Sequence, residues 1–113
     1  MIYMLKSKIH HAIVTHTDLN YEGSIVIDPF LMEASGLIPY EKVLVVSNTS
    51  GARYETYVIP GIIGDGCIKL NGASTKLVKR GEQLIIMSFH LVDTPIKPTV
   101  VIVDNENKII EVK

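Results

Sequence analysis

Apolar residues recur along this chain in short runs, with turn-forming residues between them. Lys8 to Thr15 (KIHHAIVT) is rich in β-branched residues and partly alternates, which predicts a first strand. His16 to Asn20 (HTDLN) predicts a turn. Ser24 to Asp28 (SIVID) predicts a second strand. Asp28-Pro29 then predicts a helix N-cap followed by proline at the first helical position. Phe30 to Ser35 continues that helix, and Gly36 is its C-terminal stop. Lys42 to Ser47 and Arg53 to Ile59 predict a hairpin across the turn Asn48-Thr49-Ser50-Gly51, and Pro60-Gly61 ends it. Gly64-Asp65-Gly66 turns into a short strand, Cys67 to Leu70. Asn71-Gly72-Ala73-Ser74 is a corner, and Ser74 to Val78 predicts one helical turn. Gln83 to Phe89, Thr99 to Val103 and Lys108 to Val112 predict further strands, separated by the proline-bearing loop Asp93 to Pro98 and the turn Asp104 to Asn107.

Seven or eight short, closely spaced strands with one or two short helices predict an all-β fold, either a closed barrel or a sandwich. A closed barrel also removes exposed strand edges. Alternation alone does not give the topology.

Composition narrows the picture. A chain of 113 residues predicts one domain. Hydrophobic residues make up 47% and charged residues 20%, which is globular rather than disordered. The net charge is -1 and no basic block is present, which argues against nucleic acid or an anionic membrane as partner. Cys67 is the single cysteine, so no intrachain disulfide can form, as suits a reducing compartment. No apolar run suits a signal peptide or could span a bilayer, and the expectation is a soluble cytoplasmic protein.

Candidate chemistry centres on Gly23-Ser24. A serine hydroxyl can attack the carbonyl of the residue before it, turning the amide into an ester. Elimination at the serine α-carbon breaks that ester and leaves dehydroalanine. Hydrolysis then gives an N-terminal pyruvoyl group and releases ammonia. The step needs a bent or strained peptide and a donor for the developing oxyanion. Glycine before the serine suits it, having no Cβ to obstruct the attack and access to unusual φ values. A Gly-Ser pair standing alone is ordinarily a plain turn or strand start, so its context decides.

Other chemistries find less support. His10 and His11 are neighbours and would face opposite ways on a strand, while His16 and His90 have no ligand-like spacing to Cys67, so no metal site is expected. Cys67 shows no paired base and reads as a small buried hydrophobe. No P-loop or dinucleotide glycine pattern is present.

The context of Gly23-Ser24 carries a resemblance. Met4-Leu5-Lys6-Ser7-Lys8-Ile9-His10, then Val14-Thr15-His16, then Asp18 to Ser24 (DLNYEGS) is similar to the start of aspartate 1-decarboxylase, the small pyruvoyl enzyme family. Asn48 to Tyr57, with Gly51, Arg53, Thr56 and Tyr57, resembles that family's second block, and Asn71-Gly72-Ala73 its third. The blocks keep the family's order and spacing over about two-thirds of the chain. His11 stands where an arginine is usual, and Ser74 where a second alanine is common.

The resemblance implies a double-psi β-barrel, usually a homotetramer with sites at subunit interfaces. It implies one domain, 1–113, cut between Gly23 and Ser24 into a short β chain, 1–23, and a longer α chain, 24–113. Ser24 would become a covalent pyruvoyl cofactor, with no metal. That ketone would form a Schiff base with the amine of L-aspartate, and loss of carbon dioxide would lead to β-alanine for pantothenate and coenzyme A synthesis. Tyr57 matches the family's proton-donating tyrosine. Arg53 lies four residues before Tyr57 and shares its face in a regular strand, where a guanidinium can bind a carboxylate through two bonds. Lys8 matches a family lysine that reaches in from a neighbouring subunit. Thr56 would face away from Tyr57 in a regular strand, yet the resemblance assigns it to cleavage and substrate binding, through a bulge or from the strand's other side. Asn71 would assist cleavage through its side-chain amide. Gly72, Ala73 and Ser74 would offer backbone N–H groups to a substrate carboxylate. His10 and Tyr21 match positions that line the site. Some family members depend on a separate maturation protein. The competing expectations are a non-enzymatic barrel, uncut at Ser24, that binds a small acid or a protein partner, and an enzyme isolated as its uncleaved precursor.

Overall fold

The computed structural model describes residues 1–113. Its elements in order are β1 (Ile2–Ile13), β2 (His16–Asp18), β3 (Ser24–Ile27), α1 (Pro29–Ser35), β4 (Lys42–Ser47), β5 (Arg53–Pro60), β6 (Ile68–Asn71), a 3₁₀ turn (Gly72–Lys76), β7 (Gln83–Val92), β8 (Thr99–Val103) and β9 (Ile109–Val112). The nine strands hydrogen-bond in the order β2-β6-β3-β5-β4-β7-β1-β8-β9. β1 runs into β2 through only Val14 and Thr15, although β2 sits at one edge and β1 near the other. The continuous chain therefore closes the sheet into a barrel. Backbone bonds from Val14 N to Glu82 O (3.0 Å) and from Thr15 N to Ile68 O (2.9 Å) seal that corner.

The core follows the two-residue alternation of the strands. Ile25 and Ile27, Val43 and Val45, and Leu84 and Ile86 all point inward and are essentially inaccessible to water. Each such side chain contributes roughly 1.5–3 kcal/mol of burial free energy. β3 lies between two partners, with Ile25 opposite Val58 in parallel β5 and opposite Leu70 in antiparallel β6. All three of these residues belong to the core.

α1 forms as its sequence predicts. Asp28 caps it, accepting from Phe30 N at 2.9 Å, Pro29 opens it, and Gly36 closes it in the left-handed conformation at φ 82°. The buried Asp28 carboxylate also accepts from Gly64 N and Gly66 N, both at 2.9 Å, so one side chain joins the helix to the Gly64-Asp65-Gly66 turn. Burial alone would push this carboxyl up in pKa, but the three backbone donors, with help from Lys108, outweigh it and hold it below the usual range. Asn107 performs a similar task for β1: its amide donates to Ile13 O (2.9 Å) and Gly66 O (2.8 Å) and accepts from Ile13 N (2.7 Å).

The structure departs from the sequence expectation in four places. There are nine strands, because His16–Asp18, expected as a turn, pairs with Lys69–Asn71 as a parallel strand. β1 starts at Ile2 rather than at Lys8, because its first residues pair with the end of β7. The expected helical turn at Ser74 to Val78 is a 3₁₀ turn that starts earlier, at Gly72. His10 and His11 do not face opposite ways: their ring centroids are 3.6 Å apart. The register of β1 against β7 shifts between His10 and Ala12, and His11 has φ 72°, so a bulge breaks the alternation there.

Candidate active site

The site is built on the first residue of β3 and the last of β6. Ser24 and Asn71 are cross-strand partners, and both are buried. Asn71 Nδ2 donates to Ser24 Oγ at 2.9 Å. The Asn71 side-chain oxygen Oδ1, equally buried, has no hydrogen-bond partner. A free acceptor thus sits beside the serine, in a place where an unmet polar group is costly.

Tightness around the Gly23-Ser24 bond comes from Gly72. Gly23 itself does not have a positive φ, and a Cβ there would meet nothing within 4 Å. Gly72 has φ 77°, and a Cβ on it would stand 3.1 Å from Gly23 Cα, 3.2 Å from Gly23 N and 3.2 Å from Tyr21 O. The special backbone conformation expected at Gly23 is therefore found across the strand pair, at Gly72. It lets the start of the 3₁₀ turn lie directly against the Gly23 backbone.

A cavity of about 260 Å³ opens beside this bond. Gly23, Thr56, Asn71, Ala73 and Ser74, all singled out from the sequence, line it together with Tyr54, Glu55 and Leu77. Thr56 reaches it without a bulge: β4 and β5 stay in continuous register from Lys42–Tyr57 to Val46–Arg53. It belongs to the same strand face as Tyr54 and Val58, so it approaches from the side opposite Tyr57. Ser74 donates its hydroxyl to Asn71 O at 3.2 Å, which braces the corner.

Tyr54 escaped the sequence reading. Its hydroxyl is buried without a hydrogen-bond partner, and burial pushes the phenol up in pKa, with a partial opposing effect from nearby Ser74. The available signal was spacing, since Tyr54 stands two residues from Thr56 and shares its face.

Tyr57 stands one step before Val58, and Ser24 one step before Ile25, in a parallel pairing that joins Val58 to Ile25. Ser24, Asn71 and Tyr57 therefore share one face of the sheet, opposite the core residues. Tyr57 does not line the 260 Å³ cavity. It borders an open depression with Lys42, Glu55 and Thr56, and its ring lies against that of Tyr40 with centroids 6.3 Å apart. Arg53 is exposed at the start of β5, also outside the cavity. Lys8 is half-buried on β1, opposite Met87 and Val100, and His10 lies two residues further along. Burial, together with the charges of His11, Lys8 and Lys113, lowers the His10 pKa. Tyr21 is exposed, with Lys69 Nζ 5.3 Å from its ring centroid. The single chain thus gathers the residues expected around the scissile bond and leaves Lys8, Arg53 and Tyr57 outside their cavity.

Burial also pushes the Cys67 thiol up, with Asp65 adding to the effect, which makes a poor nucleophile. No three His, Cys, Asp or Glu side chains come together in a group that could hold a metal ion. No helix is long and apolar enough to cross a membrane.

The family profile described as aspartate decarboxylase matches residues 1–110. The chain belongs to the aspartate decarboxylase family. It is 54% identical over 114 residues to an aspartate 1-decarboxylase of Pelotomaculum thermopropionicum, covering 97% of this chain and 86% of the relative. It is also 54% identical over 110 residues to one of Syntrophus aciditrophicus, covering 94% of this chain and 95% of the relative. An aspartate 1-decarboxylase of Chlorobium luteolum is 51% identical over 110 residues, covering 94% of this chain and 86% of that protein. The double-psi β-barrel of the aspartate decarboxylase family is the closed barrel described above. Ser24 and Asn71 occupy its β3–β6 pair.

Proposed function

We propose that this protein decarboxylates L-aspartate to β-alanine and carbon dioxide, after cutting its own chain between Gly23 and Ser24. Membership of the aspartate decarboxylase family supports the reaction. The observation that carries the site is the buried Asn71–Ser24 hydrogen bond of 2.9 Å, next to a glycine with open space at its Cβ position.

In maturation the Ser24 hydroxyl attacks the Gly23 carbonyl carbon. The C–O bond forms, the C–N bond breaks, and the Ser24 nitrogen takes up a proton as an amine. Asn71 holds Oγ by donation and leaves its O–H proton free to depart. Thr56, lining the same cavity, has a hydroxyl suited to the oxyanion. The Ser24 α-proton then leaves and the Gly23 carboxylate is expelled from the β-carbon. Tautomerisation and addition of water release ammonia and leave a ketone.

The residues present fit a pyruvoyl group at position 24. The Asn71 amide donor already faces an oxygen there, and the buried Asn71 carbonyl has spare capacity on its other side. When formed, the group supplies an electrophilic carbonyl and an electron sink for decarboxylation. The other roles belong to the chain. Arg53 and Lys8 bind the two carboxylates of aspartate, Ala73 and Ser74 offer N–H groups at the corner, and Tyr57 returns a proton to the former α-carbon.

Assembly completes this arrangement. Lys8, Arg53 and Tyr57 stand outside the cavity at Gly23, which favours a homotetramer whose sites form where one subunit meets the next. Exposed apolar side chains on the paired strands β1 and β7 (Ile2, Tyr3, Phe89 and Leu91) supply a surface to bury in such contacts. The protein works in the cytoplasm, where β-alanine enters pantothenate synthesis. Intact mass measurement under denaturing conditions tests the proposal: two chains, the second starting with a pyruvoyl group at position 24, together with carbon dioxide release from aspartate, are expected. A chain that stays whole and inactive after prolonged warming would overturn it.

A further inference from the structure

Tyr40 occupies a position that a tyrosine rarely takes. It has φ 69°, in the left-handed region where a residue with a Cβ is disfavoured, and it is 76% exposed. Burial therefore does not compensate the backbone strain, and glycine or asparagine would fit the same turn more easily. Such strain persists only where the surroundings hold it in place, and it clusters at functional positions.

The surroundings do hold it. Tyr40 N donates to Val58 O at 2.7 Å, and Val58 N donates to Glu41 O at 3.0 Å. The Glu41 carboxylate accepts from Ile38 N at 3.1 Å and from Lys6 Nζ at 2.8 and 2.9 Å. The backbone of Tyr40 is thus tied on both sides to the residue that follows Tyr57. Its ring lies over that of Tyr57, with an interplanar angle of 28° and centroids 6.3 Å apart, within the range of favourable aromatic pairs.

We propose that Tyr40 is a positioning residue for the reaction, its ring fixing the Tyr57 side chain so that the phenol faces the substrate. The inference rests on Tyr57 being the proton donor. A tyrosine on an open sheet face has two free side-chain torsions, and proton return needs its hydroxyl in one place. A rigid aromatic neighbour removes much of that freedom before substrate binds.

The test compares Tyr40→Asn, Tyr40→Phe and Tyr57→Phe as full-length assembled proteins. Maturation is followed by intact mass, stability by thermal melting, and turnover by carbon dioxide release from aspartate. Tyr40→Asn is expected to mature fully and melt at or above the wild-type temperature. Its kcat is expected to fall roughly 10- to 100-fold with little change in KM. Tyr40→Phe, which keeps the ring, is expected to retain wild-type kcat. Wild-type kcat in Tyr40→Asn, alongside a slow Tyr57→Phe, would overturn the inference while sparing the role of Tyr57. Lower melting and incomplete maturation in Tyr40→Asn would also overturn it, by making Tyr40 a structural residue. Wild-type kcat in Tyr57→Phe would remove the reading on which it rests.

Discussion

Asn71 donates its side-chain amide to the Ser24 hydroxyl over 2.9 Å, while its own carbonyl oxygen, equally buried, is left without a donor. The amide orients Oγ, and the carbonyl is a preformed acceptor beside it. Asn71→Ala is expected to slow cleavage at Gly23-Ser24 about 10-fold or more, the effect of a lost buried hydrogen bond of roughly 1–3 kcal/mol. Intact mass spectra taken over time measure it. Cleavage at the wild-type rate would show that Ser24 needs no such partner.

Ser24→Ala and Tyr57→Phe separate the two halves of the chemistry. Ser24→Ala should remain one chain and release no carbon dioxide from aspartate. Tyr57→Phe should be cut normally yet turn over about 10²- to 10⁴-fold more slowly, the usual range for loss of a positioned acid. Cutting of Ser24→Ala at the same bond would exclude serine as the attacking group.

Gly72→Ala should damage both fold and maturation. The added methyl would meet the Gly23 backbone at 3.1 to 3.2 Å, in a residue at φ 77°. The left-handed backbone alone costs about 1–2 kcal/mol. A fall in Tm of roughly 4–8 °C per kcal/mol is expected for a domain near this size. By contrast, Gly23→Ala meets no neighbouring atom and should fold normally. Equal melting of both variants would show that the close approach at Gly72 is dispensable.

Asp28 predicts a stability that depends on acid. Its folded pKa lies below that of an unfolded aspartate, near about 3.9. The unfolded chain therefore binds its proton first as pH falls. The stabilisation is fully present above the unfolded pKa and drains away as pH drops through the folded one. Asp28→Asn places an amide donor among three backbone donors and should cost about 1–3 kcal/mol at neutral pH. Denaturant titrations at pH 7 and pH 3 should show the gap between wild type and variant narrowing in acid. A gap independent of pH would mean that the carboxylate charge is not what matters.

Local chemistry made much of this fold legible. Asp28-Pro29 and Gly36 marked the ends of α1, because capping and φ preferences act within a few residues. The hairpin around Gly51 was legible for the same reason. β2 was not, since three residues, His16 to Asp18, become a strand only when β6 lies beside them. Nor was the pairing of the His10 and His11 rings, because a bulge depends on two strands and leaves no mark in one. At the site, the chemistry of a Gly-Ser pair pointed to Ser24, while Thr56 and Asn71 joined it only through the resemblance to the family. The transfer of the special backbone from Gly23 to Gly72 depends on how a 3₁₀ turn docks against another loop, which no local pattern records.

The place of β1 within the barrel has a consequence for the life of the molecule. β1 lies between β7 and β8, and its Ile9 and Ala12 are sealed in the core. A cut after Gly23 would leave this strand on a separate peptide, held by the same ladder of bonds as before. The uncut precursor and its cleaved product would look alike while folded. Once unfolded they would differ, because the product must bring two peptides together again, and its recovery would become second order. Maturation would thus act as a ratchet, after which the molecule owes its survival to never coming apart.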